Sequence, residues 1–468
     1  RAVMYREILD AYIENHKEEM IEDLKTLVRI DSQKMEAKEG MPYGEGPAKV
    51  LDAAAKMMES YGFKVNNYGN RVVTGDFGDQ EKYLDILAHL DVVPVTDNWK
   101  ETSPFDPVVK DGKIYGRGTV DDKGPAIAAL YAMRAIKESG IDLAKNVRLI
   151  LGSDEECGSS DLEYYYSVEK EAPMSFTPDA EYPVINIEKG RLEKGFSKKA
   201  VPGEGAVVLE VCGGTKSNVV PDTARALVSG LEESVIRETA EKMNCGIDYL
   251  VEMQEGACRV TAKGLAAHAS TPECGHNAIS GLLKLLAALP LTENECTKAF
   301  RDLAECFPAG DHNGAALGIA MEDEISGKLT LNIGILSYDG ETISGVIDSR
   351  VPICGNDENV TNVFAAKLES CGFEVEEGSM IPPHCVPGDS ELVQKLLASY
   401  ERYSGIKGEP IAIGGGTYVH HLQNGVAFGC IVEGVDNHMH GDDEFMEIDV
   451  LMMSTKIFAD AILSICGE

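Results

Sequence analysis

Positive charge is what this chain has too little of. Its 468 residues carry 43 Lys and Arg against 78 Asp and Glu, a formal net charge of −35. Such a surface repels phosphate backbones and anionic lipid, so neither nucleic acid nor a membrane is expected as a partner. Long apolar runs are missing as well: no stretch approaches the roughly 18 residues that a membrane span requires. The 12 cysteines are scattered, with no Cys-x-x-Cys pair and no regular framework. That excludes a structural zinc cluster or a disulfide scaffold and points to reduced thiols, hence to the cytoplasm. Residues 1–10 hold no apolar signal core, in keeping with that location. No low-complexity linker divides the chain.

What is present is a globular composition, 44% apolar and 26% charged, in a chain too long for one ordinary core. Apolar positions at helical spacing predict helices over residues 5–30 and 46–61, and another over 123–138. Strands are expected at 64–73, 82–89, 147–152 and 182–187. Strands alternating with helices predict an α/β domain with a mainly parallel sheet flanked by helices. After residue 190 the texture becomes α+β, with strands at 207–211, 224–228 and 259–262, helices at 232–243 and 277–289, and a hairpin over 329–337 and 342–351. A helix at 359–370 and a strand at 373–376 follow. Two similar segments, Asn218-Val219-Val220-Pro221-Asp222 and Ser344-Gly345-Val346-Ile347-Asp348, suggest a lid of two related halves. The first texture returns with helices at 390–404 and 450–465 and strands at 410–413 and 426–431. The expected organisation is a catalytic domain made of residues 1–190 and 387–468, with a lid domain, 191–386, inserted.

Five clusters carry chemistry. In Asp85-Ile86-Leu87-Ala88-His89-Leu90-Asp91, an apolar strand delivers a histidine and a carboxylate to one face, since strand residues two apart point the same way. One can ligate a metal while the other orients the imidazole; an ordinary polar strand end would look the same. Tyr115-Gly116-Arg117-Gly118 leads through Thr119-Val120 to Asp121-Asp122 at a helix start, where Asp is also a common cap. Gly152-Ser153-Asp154-Glu155-Glu156 follows a buried strand, and loops beyond strand ends are where α/β sheets place ligands. Asp179 lies at a further strand entrance. His438-Met439-His440-Gly441-Asp442-Asp443-Glu444 lies in the returning segment.

Taken in order, His-x-Asp-x-x-Pro, Gly-Arg-Gly-x-x-Asp-Asp-Lys-Gly, Asp-Glu-Glu-x-Gly, a lone Asp and a late His before an acid resemble the dinuclear zinc amidohydrolases. That family includes aminoacylases, acetylornithine deacetylase, desuccinylases and glutamate carboxypeptidases. Thr177-Pro178-Asp179-Ala180-Glu181, the long lid and the Gly-Gly-Gly-Thr-Tyr turn bring the chain nearest to bacterial dipeptidases of the carnosinase-like, Xaa-His type. The resemblance implies a metallopeptidase catalytic domain with two Zn²⁺ bridged by Asp121. His89 and Asp179 would complete one site, Glu156 and His440 the other. It further implies Asp91 as the residue orienting His89, Glu155 as general base, a cis peptide after Asp121, and His268, in Gly264-Leu265-Ala266-Ala267-His268, as a donor to the oxyanion. The donor set suits zinc without a thiolate, and Mn²⁺ or Co²⁺ suits it too.

The substrate implied is a short unblocked peptide. Asn218 and Arg350 match lid positions that contact it, and a guanidinium is suited to a free carboxylate; a strand-edge arginine in an ion pair is the plain alternative. Gly415, Gly416 and Thr417 would let backbone approach the substrate. His420 stands where relatives commonly carry Arg, which bears on substrate range and pH response. The long lid favours a monomer. Two rivals stand beside the dipeptidase: an N-acyl amino acid deacylase or desuccinylase with the same metals, and a non-catalytic peptide-binding protein.

Overall fold

A computed structural model describes residues 2–467. The chain divides into two compact units. One comprises residues 1–187, 385–411 and 416–468, the other 188–384 with 412–415.

The first unit is built on a mixed sheet whose four central strands run parallel: Asn146–Gly152, Lys82–His89, Met174–Thr177 and Gly425–Ala427, in that spatial order. Asn146–Gly152 is buried at every position, as a strand covered on both faces must be. Antiparallel strands flank this centre. Residues 64–73, expected as one strand, instead form a hairpin of Lys64–Tyr68 and Val72–Asp76. The turn falls at Gly69 and Asn70, both at positive φ, where the chain reverses too tightly for a continuous strand. The expected opening helix is likewise two, Ala2–Asn15 and Lys17–Val28, broken at His16 with ψ near 11°.

The helix Gly124–Glu138 (GPAIAALYAMRAIKE) is buried from Gly124 through Ile136. A helix apolar on all sides belongs in an interior. It shares one core with the final helix Ile448–Cys466 and with the strands beneath. No helix among the described residues is long and apolar enough to cross a membrane.

The second unit is α+β. Eight strands form one sheet, ordered Asp248–Gln254, Ala257–Lys263, Thr223–Ser229, Val207–Gly213, Thr330–Tyr338, Thr342–Val351, Gly190–Lys199 and Glu374–Val375. Two similar series run through it. Val207–Gly213 pairs with Thr223–Ser229, and a helix (Glu233–Glu241) and a strand follow. Thr330–Tyr338 pairs with Thr342–Val351, and a helix (Asn362–Ser370) and a strand follow. The helix Glu295–Cys306 was not expected. It is capped by Asn294, whose side chain accepts from the Thr297 N–H, and buries Cys296, Ala299, Phe300 and Leu303 on one face.

Candidate metal centre

Three neighbouring parallel strands end at the same edge of the sheet, and each delivers acids or an imidazole there. The register pairs His89 with Gly152, and the Leu90 N–H bonds the Gly152 carbonyl at 2.9 Å, so the loop bearing Glu155 and Glu156 starts beside His89. Ile86 pairs with Phe176 on the other side, and that strand runs out toward Asp179. Gly152 tolerates no side chain: a Cβ there would lie 2.0 Å from the Tyr418 hydroxyl. A fourth approach comes from the late segment, where Phe445–Glu447 pairs with Lys113–Tyr115 and brings residues 438–444 alongside Gly116–Asp121.

These elements bring His89, Asp121, Glu155, Glu156, Asp179 and His440 together. The Asp121 carboxylate lies between two imidazoles, with Oδ1 at 3.0 Å from His89 Nε2 and Oδ2 at 2.8 Å from His440 Nε2. On the His89 side Asp179 Oδ2 approaches to 3.4 Å, and on the His440 side Glu156 Oε1 to 3.4 Å. Glu155 Oε2 stands 3.5 Å from His89 Nε2. Two donor groups, His89–Asp121–Glu156 and His89–Glu155–Asp179, each fit within 4.8 Å. The peptide bond between Asp121 and Asp122 is cis.

The electrostatics are those of a crowd of acids. Burial and the nearby Asp121 push Glu156 up to about 8. Burial and Asp121, against the pull of His89, raise Asp179 to about 7. Glu155 is raised well above its usual value by burial and by Asp179. Burial opposes charge on the two imidazoles, but the surrounding carboxylates outweigh it: His440 rises to about 10 and His89 well above its ordinary value. Carboxylates that resist ionising together are a good match for divalent cations, whose charge removes the repulsion. The imidazole and carboxylate donors suit zinc.

Asp91 sits behind this cluster. Its backbone carbonyl lies 2.9 Å from His89 Nδ1 and its carboxylate 3.2 Å. The same carboxylate accepts the N–H groups of Glu155 and Glu156 at 3.2 and 3.0 Å, so it fastens the acidic loop as well as facing the histidine. Sequence reasoning passed over three further residues. Asp122 is buried and accepts the His89 N–H at 3.2 Å, and Asp161 accepts the N–H groups of Ser153 and Asp154 and the Tyr418 hydroxyl. Glu444 is buried against the turn that carries Asp121. Asp122 and Glu444 lie inside motifs already singled out; nothing near Asp161 marks its partners.

The remaining candidates divide between the units. In the second unit, the backbone ladder sets Val219 opposite His268, and the Ala269 N–H bonds the Asn218 carbonyl at 2.9 Å, so Asn218 and His268 are neighbours. His268 is exposed, and its Nδ1 accepts the Ser270 N–H at 3.0 Å, which leaves the neutral ring's proton on Nε2. Arg350 is buried, with Nε at 2.7 Å from Asp348 and Nη1 at 2.8 Å from the Gly414 carbonyl. Gly414 in turn approaches Ser270 so closely that a Cβ would meet it at 2.8 Å. Gly415 belongs to this unit. Gly416, Thr417 and His420 belong to the first, with Thr417 capping the short helix Tyr418–His421 that carries His420.

A family model described as Peptidase family M20/M25/M40 matches residues 86–464. A Bacillus subtilis (strain 168) protein named "Putative dipeptidase YtjP" is 36% identical over 455 residues, 95% of this chain and 97% of that protein. "Putative dipeptidase SAR1836" of Staphylococcus aureus (strain MRSA252) is 33% identical over 473 residues, 97% of this chain and 99% of the other. Among solved structures, human carnosine dipeptidase 1 shares the fold with a TM-score of 0.62 at 16% identity, covering 99% of each chain.

Proposed function

The chain belongs to peptidase family M20/M25/M40 and is a metal-dependent peptidase, and from that premise we propose a two-zinc dipeptidase that hydrolyses short unblocked peptides. The observation that carries the reading is the single Asp121 carboxylate facing His89 and His440, with Asp179 close to the first imidazole and Glu156 close to the second. In this reading Asp121, His89 and Asp179 would hold one ion, and Asp121, Glu156 and His440 the other. Mn²⁺ and Co²⁺ suit the same donors.

Bound metal would supply Lewis acidity, polarising the scissile carbonyl and making water acidic near neutral pH. The chain's own residues do the rest. Glu155, held at the rim by the Asp91 carboxylate through its backbone N–H, takes the proton of the attacking water and passes it to the leaving nitrogen. Asp91 also keeps the His89 ring oriented through Nδ1. His268, protonated at Nε2, donates to the negative oxygen of the tetrahedral intermediate. Asn218, Arg350, Gly415, Gly416, Thr417 and His420 contact the peptide, with Arg350 directed to its carboxylate. The enzyme acts as a monomer in the cytoplasm, a setting supported by 12 scattered cysteines that form no Cys-x-x-Cys pair and no regular framework.

A substrate panel tests the reading. The zinc-loaded protein is expected to cleave free dipeptides and leave N-acetylated amino acids intact. Cleavage of the acylated compounds alone would replace the dipeptidase with a deacylase, and turnover of neither would leave a peptide-binding protein.

A further inference from the structure

The loop that delivers His440 is held in an unusual way. Three of its non-glycine residues, His438, His440 and Asp443, have φ between +56° and +66°, a region that side chains disfavour. The His440 side chain itself is half exposed, so packing alone does not fix it. What holds the loop is a set of charged contacts to the turn that carries Asp121. Glu444, fully buried, accepts the N–H groups of Gly118, Val120 and Asp121 through Oε2 at 3.0–3.2 Å. Its Oε1 accepts from Arg117 Nη1 at 3.0 Å. Arg117, also fully buried, bonds the Gly441 carbonyl at 2.9 Å and the Pro94 carbonyl at 3.3 Å. Asp442 and Asp443 fasten the same loop to the backbone N–H groups of Asn98, Lys100 and Glu101.

Glu444 lies four residues after His440 and touches the backbone of Asp121. The carboxylate and the imidazole that face each other at 2.8 Å are therefore tied together a second time, through Glu444. His89 and Asp179 need no such tie, because adjacent parallel strands already align them.

We propose that Glu444, locked by Arg117, is a positioning residue that sets His440 against Asp121 and thereby governs the affinity of the His440-side metal position far more than that of the other. The inference rests on the two-metal reading above. Partners behind a ligand commonly alter metal affinity by about 10- to 100-fold, and here the loss falls on the His440 side.

The experiment titrates metal-stripped protein with Co²⁺ and follows heat and visible absorption, which read each binding event apart from turnover. Wild type takes up two ions. Glu444→Gln is expected to keep the first affinity within about threefold and to weaken the second about 10- to 100-fold, as His440→Ala also should. Because Glu444→Gln strands the Arg117 charge in the interior, a second variant, Arg117→Met/Glu444→Met, removes the clamp without leaving an unpaired ion. It should show the same selective loss. Second-site affinity unchanged in the folded double variant overturns the proposal, as does equal weakening of both sites. Uptake of fewer than two ions by wild type overturns the two-metal reading itself and is told apart by that control.

Discussion

One strand, Lys82–His89, directs Asp85 and His89 to the same face, and the buried negative charge beside each is met in opposite ways. At Asp85 the counter-charge is built in: Arg148 grips both carboxylate oxygens, Nε to Oδ1 and Nη2 to Oδ2, each at 2.8 Å. The Tyr166 hydroxyl and the Ala172 N–H complete the shell. Burial opposes charge on Arg148, yet Asp85 outweighs it and keeps the guanidinium charged. Four residues on, His89 faces Asp121, Glu155, Glu156 and Asp179, acids whose neighbours are imidazoles and one another. The first site is neutral as folded and serves stability. The second has surplus negative charge that a cation would balance. The contrast separates a structural carboxylate from a candidate ligand by its partners, since both are buried and both sites are reached from the same strand.

Four substitutions or treatments sharpen that difference. Glu155→Ala should lower kcat by on the order of 10²–10⁴ while metal content, measured by elemental analysis, stays at the wild-type value. Turnover close to wild type would remove Glu155 from proton transfer. Arg148→Met strands Asp85 and should cost roughly 3–5 kcal/mol in urea unfolding, the usual penalty of an unpaired buried charge; activity per folded molecule should hold. Chelation is the third. Metal present at about 100 times its dissociation constant stabilises by about 2.7 kcal/mol, so stripping it should lower the melting temperature. The stripped protein should also acquire a pH dependence. Glu156 (about 8) and Asp179 (about 7) bind protons more tightly folded than unfolded. Their contribution is therefore full at low pH and lost as pH rises through 7 to 8. Its melting temperature should fall between about pH 6 and about pH 8.5, and that of the loaded protein should not. The smallest effect is Arg350→Ala, expected to raise KM for dipeptides about 10-fold, the value of one charge-assisted hydrogen bond. An unchanged KM would confine Arg350 to its pair with Asp348.

The α/β texture and the places of several cluster residues could be read from the chain because each depends on a short window: His89 and Asp91 on strand alternation, Glu155 and Glu156 on a loop after an apolar run. The helix Glu295–Cys306 was missed although its signals are local, an Asn294 cap and an apolar stripe at Cys296, Ala299, Phe300 and Leu303. Other features had no local signature. The Glu444–Arg117 pair joins residues 327 positions apart. Asp161 looks like an ordinary residue in a helix's first turn until Tyr418 is placed above it. The double duty of Asp91 depends on the register of two strands.

The interrupted construction of the first unit has a bearing on synthesis. A ribosome making this chain releases His89, Asp121, Glu155, Glu156 and Asp179 early, and then must complete the entire intervening unit before residue 440 appears. Any product cut short before that point carries most of the donor cluster but only one of its two imidazoles. The last stretch to be translated thus acts as a late key: it alone brings the imidazole that faces Asp121 from the side opposite His89.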